Sequence, residues 1–162
     1  MLLLLKNLLF TIVFPGTVAV YVPFLLTRSL APGPPPWRAF SFLLFATGAA
    51  LYAWCVWDFA SFGRGTPLPL DAPRQLVVRG LYRYTRNPMY VGVLTTVVAW
   101  AVRYRSPGVL LYGALVWGCF QCFVVFYEEP HLARVFGPAY DSYRNAVGRW
   151  LGRGRHIAAE RR

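Results

Sequence analysis

Three apolar blocks dominate this chain and leave a soluble fold little room. Residues 2–26 are apolar apart from Lys6, Asn7 and a few small polar groups. Residues 39–62 and 109–127 are comparable runs. A soluble domain interleaves apolar and polar residues at helical or strand period, whereas runs near 20 residues have the length a bilayer requires. The first run is also too long for the apolar core of a secretory signal, which is usually about 7–15 residues. Pro15 and Pro23 should kink it, as a membrane helix tolerates when its neighbours cover the freed carbonyls. A fourth segment, Met89 to Val102, covers roughly 21 Å at helical rise, so it is either buried among other helices or crosses by recruiting its flanks. The turn at Arg103-Tyr-Arg-Ser-Pro-Gly108 makes it and the last block a helical hairpin. The expected fold is therefore all-α: a polytopic membrane protein of about four transmembrane helices.

Between the blocks the chain is stiff or basic. Four prolines in Ala31-Pro-Gly-Pro-Pro-Pro-Trp37 are expected to exclude helix there, and Trp37 suits a membrane interface. Asp58, near the far end of the second block, is expected to reach the headgroups and is assigned no chemistry. Beyond Glu128-Glu129-Pro130, the residues Leu132, Phe136, Tyr140, Tyr143, Val147 and Trp150 recur at helical spacing, interrupted at Gly137-Pro138. This reads as an amphipathic helical segment along the membrane surface, with a basic tail from Gly152 to Arg162.

The net charge of +11 would suggest nucleic acid in a soluble protein. Here the bases flank apolar blocks, which is how loops retained on the cytoplasmic side look, so no nucleic-acid partner is expected. With four crossings, thirteen of the 17 basic residues fall on the side of both termini and the middle connection. Only Arg28, Arg38, Arg103 and Arg105 fall on the other, which predicts cytoplasmic termini. The three cysteines, Cys55, Cys119 and Cys122, lie in apolar segments. Cys119-x-x-Cys122 has no second pair, so it reads as two small residues one turn apart in a buried helix, with no metal expected.

Chemistry concentrates in residues 80–92, Gly-Leu-Tyr-Arg-Tyr-Thr-Arg-Asn-Pro-Met-Tyr-Val-Gly, and at the Glu128-Glu129 pair. Pro88 suits the first turn of a helix, with Asn87 as its cap and Arg86 at the headgroups. Tyr82, Tyr84 and Tyr90 are left over. Aromatic faces near carboxylates suit a cationic ligand such as a sulfonium. Glu128 and Glu129 admit two readings: a favourable position at the amino end of a helix opened by Pro130, or a binding role facing the basic connection. No nucleophile triad, zinc spacing or complete nucleotide-binding glycine loop is present, and no residue stands out as a catalytic acid or base.

The order Gly80-x-Tyr82, Arg86-Asn-Pro-Met-Tyr-Val-Gly92, Glu128-Glu-x-x-Leu132, Phe136-Gly137, Tyr140 and Tyr143 resembles the isoprenylcysteine carboxyl methyltransferase and phospholipid methyltransferase family. The resemblance runs from Arg74 to Trp150. It implies an integral membrane enzyme that uses S-adenosylmethionine without a Rossmann domain and methylates a lipid-like or small apolar acceptor arriving from the bilayer. Residues 1–62 would then be a two-helix anchor and residues 63–162 the methyltransferase core. By the same resemblance Gln75, Leu76, Val77, Tyr82, Asn87, Pro88, Met89 and Tyr90 would line the cofactor pocket, closed from the other side by Glu128. Two positions depart from the family's prenylcysteine enzymes. Asn87 stands where eukaryotic members usually have His, and it cannot carry a proton near neutral pH. Val124 stands where an Arg serves the acceptor, so no cation awaits a prenylcysteine carboxylate. The alternatives of different class are an NADPH-dependent membrane reductase of related architecture and a non-catalytic lipid-binding protein.

Overall fold

The computed structural model describes residue 9 and residues 11–63 and 76–150 of the chain. Among them every regular element is helical. The first helix, α1, covers Thr11–Thr27. Pro15 and Pro23 do not break it. Instead Thr17–Tyr21 widens into a π turn, with Val22 N donating to Thr17 O. Proline lacks the amide that would continue the ordinary ladder, and the wider turn rehouses the freed carbonyls.

Helix α2, Pro35–Asp58, begins four residues before the start at residue 39 that the sequence suggests, and takes in Pro35, Pro36 and Trp37 of the expected loop. Pro35 and Pro36 are helical because first-turn amides have no partner in the helix anyway, so losing them costs little. A π turn, Phe59–Gly63, extends α2 at its far end. Helix α3, Pro88–Tyr104, is followed directly by α4, Pro107–Phe123. Their hairpin turns on Arg105, left-handed at φ 50°, and on Ser106, whose Oγ accepts from Val109 N at 3.3 Å. A further π turn, Val124–Glu128, leads into α5, Glu129–Phe136. Gly137, at φ +53°, then breaks the path, and Pro138 opens α6, Pro138–Ala146.

The short helix α3 is the centre of the bundle. Val93, Val97, Ala99 and Ala101 are buried, and Val93, Val97 and Ala101 share a core with Ala19 of α1 and Val109 of α4. Against α2 the approach is closer than side chains allow. A Cβ on Gly92 would lie 3.0 Å from Gly48 O, and one on Gly48 would lie 2.8 Å from Gly92 O. Such backbone contact is how helices associate where apolar burial supplies no net drive between them.

The continuous helical runs Pro35–Ser61 and Pro107–Phe136 are long and apolar enough to cross a membrane. Only 17% of the apolar window of each is buried, which sets them apart from the core helices of a soluble protein. Cys119 and Cys122 belong to this outward surface. They are exposed, not buried as their spacing suggested, because α4 packs on α3 along one side only. The packing that does cover polar chain is at the other end of α4. There Tyr140, Tyr143 and Val147 are buried with Leu76, Leu132, Ala133 and Phe136, the face anticipated from the helical spacing.

Candidate active site

The connection that enters the site is fixed first at Gly80. Its φ of +55° suits glycine, and a Cβ there would overlap the Asp58 carboxylate and lie 3.0 Å from Trp54 Nε1. Asp58 is thus covered at 2% exposure, not out among headgroups, with Arg79 Nε 3.7 Å from its Oδ1. The missing side chain at Gly80 is what lets the loop sit on the acid. From this point a 3-10 turn, Gly80–Arg83, points Tyr82 inward. Its ring joins Cys55, Val77 and Met89 and meets Phe59 edge-on at 5.6 Å. Tyr82 O accepts from Tyr143 OH at 2.8 Å, tying the turn to α6. Burial pushes both phenols above the ordinary tyrosine range, so they remain neutral donors.

The next residues are held by the strap that follows α6, residues 147–150. Arg86 N donates to Gly148 O at 3.0 Å, Asn87 Nδ2 to Arg149 O at 3.0 Å and Thr85 Oγ1 to Arg149 O at 3.1 Å. Asn87 occupies the cap position of α3 but makes no side-chain cap, because its amide is engaged by the strap. Arg86 does not reach for headgroups either. Its Nη1 lies 3.0 Å from Glu129 Oε1 and donates to Tyr140 OH at 3.1 Å. Glu129 also takes Arg149 through two bonds, Nε to Oε1 at 2.6 Å and Nη2 to Oε2 at 3.0 Å. That forked bond raises Arg149 above the ordinary arginine value.

Glu128 is in different circumstances. The π turn before it changes the facing of the helix, and Glu128 Oε2 accepts from Tyr90 OH at 3.0 Å. No cation neutralises it among the described residues. Aromatic rings pack beside Tyr90, which lies 4.5 Å from Phe120 and 6.4 Å from Trp150 by ring centroids. Trp150 is anchored by Nε1 donating to Gln121 Oε1 at 2.7 Å and lies 6.3 Å from Trp117. Beside them an apolar groove of about 330 Å³ runs along α3, lined by Leu44, Val91, Leu94, Val98, Trp117 and Trp150 among others. The three tyrosines expected to gather do not: Tyr82 faces α2, Tyr84 is exposed and only Tyr90 faces the acid. Phe120 and Trp150 pack beside Tyr90 instead.

A sequence profile described as phospholipid methyltransferase matches residues 37–139. The chain belongs to the phospholipid methyltransferase family. A phosphatidylethanolamine N-methyltransferase of Yarrowia lipolytica (strain CLIB 122 / E 150) is 28% identical over 126 residues, covering 70% of this chain. The chain spans only 13% of that relative's length. No solved structure matches.

The family match runs from the first turn of α2 into the start of α6, so it contains Tyr90, Glu128 and Glu129 and stops short of Arg149 and Trp150. Of the residues carried over from the family resemblance, Tyr90 and Glu128 touch. Asn87 and Pro88 sit directly beneath the strap and at the head of α3, both buried. Val77, Tyr82 and Met89 share the α2-side cluster, while Leu76 packs on the α6 cluster. Gln75 lies outside the described residues. Val124, in the position that departs from the prenylcysteine enzymes, is fully buried. The sequence reading missed the partners of Glu129 and the strap. Trp150 was legible as the last member of the amphipathic face, but Arg149 lies off that face and gave no signal.

Proposed function

We propose that this chain is an integral membrane methyltransferase that uses S-adenosylmethionine and methylates a lipid-like or small apolar acceptor. One observation carries the reading. Of two adjacent carboxylates, Glu129 is neutralised by two arginines, whereas among the described residues Glu128 has only the Tyr90 hydroxyl. A half-buried acid without a cation among the described residues, bound to a tyrosine that packs beside Phe120 and Trp150, suits a positively charged ligand. S-adenosylmethionine supplies such a charge, with an electrophilic methyl group on its sulfonium. Tyr90 and Glu128 would hold it, Phe120 and Trp150 would face it, and Asn87 and Pro88 would fix the wall behind. Gln75, Leu76, Val77, Tyr82 and Met89 complete the proposed cofactor-binding set, the buried ones by shaping that wall. Direct transfer depends mainly on aligning the two reactants and excluding water, so a carboxylate or thiolate acceptor needs no base. An amine acceptor must first give its proton to water, before its lone pair attacks the methyl and the thioether leaves.

The acceptor side of the proposal rests on the groove beside Trp150, whose lining is apolar and suits an acyl chain. The relative's name makes a phospholipid amine a candidate, and Val124 gives no support to a prenylcysteine carboxylate. In the same reading α1 to α4 all cross the bilayer, α5 and α6 lie along its cytoplasmic surface, and both termini are cytoplasmic. Residues 1–62 serve as anchor and 63–162 as the catalytic core.

The test is saturable S-adenosylmethionine binding by the purified chain in detergent, followed by transfer of a labelled methyl group into added lipid. Tyr90→Ala and Glu128→Ala should each abolish binding. Absent binding in the natural chain, or binding unchanged in both variants, would sink the proposal.

A further inference from the structure

The end of the bundle away from Tyr90 and Glu128 carries positive charge that no acid among the described residues balances. Arg28 follows α1, Arg38 lies in the first turn of α2, and Arg103 and Arg105 close α3. Gly33 N donates to Arg103 O at 2.8 Å, which draws the 28–34 loop onto the α3–α4 turn. The acids among the described residues, Asp58, Glu128, Glu129 and Asp141, all lie toward the other end, and none pairs with these arginines.

What holds the guanidinium groups is aromatic. Arg103 Cζ lies 5.0 Å from the Phe42 ring centroid and 5.9 Å from that of Tyr104, and Arg105 Cζ lies 5.9 Å from that of Trp37. Arg103 Nη1 is buried without an acceptor. Ring faces orient a cation but carry no net charge, so these arginines are placed and not neutralised. Phe42 also belongs to the outward apolar face of α2, with Leu43 next to it at 61% exposure. A ligand that fits must bring an anion to the arginines and apolar chains to that face. Guanidinium groups match phosphate oxygens through paired N–H donors.

We propose that the Arg103–Arg105 end of the bundle binds the phosphate of an anionic bilayer lipid, with its acyl chains lying along the outward face of α2. A zwitterionic headgroup fits less well, because its own cation would meet only arginines. The site is separate from Tyr90 and Glu128 and does not depend on the methyltransferase reading.

Native mass spectrometry of the full chain in detergent, with phosphatidylglycerol and phosphatidylcholine of matched acyl chains, tests the proposal. The natural chain should retain phosphatidylglycerol at least about fivefold over phosphatidylcholine. Arg103→Gln with Arg105→Asn should bring the ratio near one, while Arg144→Gln, at the far end, should leave it. Arg105→Asn alone should at least halve it, and Asn tolerates the left-handed backbone there, so this variant decides if the double variant fails to fold. A ratio near one in the natural chain, or an unchanged ratio in Arg105→Asn, overturns the proposal. Displacement of the lipid by equimolar inorganic phosphate would also overturn it, since the site would then take a free anion.

Discussion

Glu129 binds Arg86 and Arg149 at once, and the side chains of Arg86 and Glu129 are only 9% and 12% exposed. Removing the acid strands two cations, one of them out of water. Glu129→Gln should therefore cost on the order of 3 kcal/mol and lower the melting temperature in detergent by several degrees. Arg86→Met combined with Glu129→Leu should recover most of that loss, since the buried cation is then gone and Arg149, its side chain 32% exposed, can turn to water. A double variant less stable than Glu129→Gln would contradict this account. Gly80 makes a second prediction at the same scale. Gly80→Ala meets both a positive φ and the Asp58 carboxylate, and should cost about 2 kcal/mol in a thermal melt. Adding Asp58→Ala should restore part of the loss, leaving about 1 kcal/mol from the backbone alone. If it restores nothing, the close approach is not what selects glycine. At this scale the sequence was informative about residue types and poor about partners. Glu128 and Glu129 were legible as an acidic pair, but which of them would be neutralised depended on a π turn and a strap, both set by tertiary packing.

The helices were legible from their apolar lengths, and their ends were not. Pro35 and Pro36 read as loop because proline breaks helix interiors, yet at a first turn it initiates one. Asn87 likewise read as a cap until the strap drew its amide away. The crossing of α2 and α3 was invisible in sequence, since Gly48 and Gly92 acquire meaning only when their helices are set against each other. It gives a direct test. Gly48→Ala must push against the backbone of α3 and should lower the melting temperature, by an amount near that of overpacking a core, about 1–3 kcal/mol. Gly118→Ala on α4 has nothing within 4 Å of the added methyl and should be neutral or stabilising by up to about 1 kcal/mol. Equal effects from the two would mean that the close approach carries no weight. The strap offers a functional counterpart. Ending the chain after Ala146 removes the carbonyls that hold Thr85, Arg86 and Asn87, together with Trp150. The shortened chain should still reconstitute into membranes and should no longer bind S-adenosylmethionine. Binding of normal affinity would remove the strap from the site.

Across the whole molecule, the two ends of the bundle differ in what they present. One gathers four arginines, two of them over aromatic rings, with no acid among the described residues. The other gathers Asp58, Glu128 and Glu129 under the Gly80 turn and the strap. Helical rise separates Pro107 from Glu128 by about 32 Å, close to the thickness of a hydrocarbon core. The outward faces of α2 and α4 between the ends are mostly unburied and apolar. In the proposed four-span arrangement, the ends of a bundle of this length face opposite aqueous phases. Tyr84, 70% exposed at the Gly80 end, and Arg105, exposed at the hairpin, mark the two phases. With the natural cysteines replaced, Tyr84→Cys and Arg105→Cys should react with a membrane-impermeant maleimide from opposite sides of sealed vesicles. The count of basic residues predicts that the Tyr84 side is cytoplasmic, and on that proposal it should be labelled only in inverted vesicles. Labelling of both from one side would remove the four-span arrangement, and with it the route by which an acceptor could pass from the bilayer along α3 to Glu128.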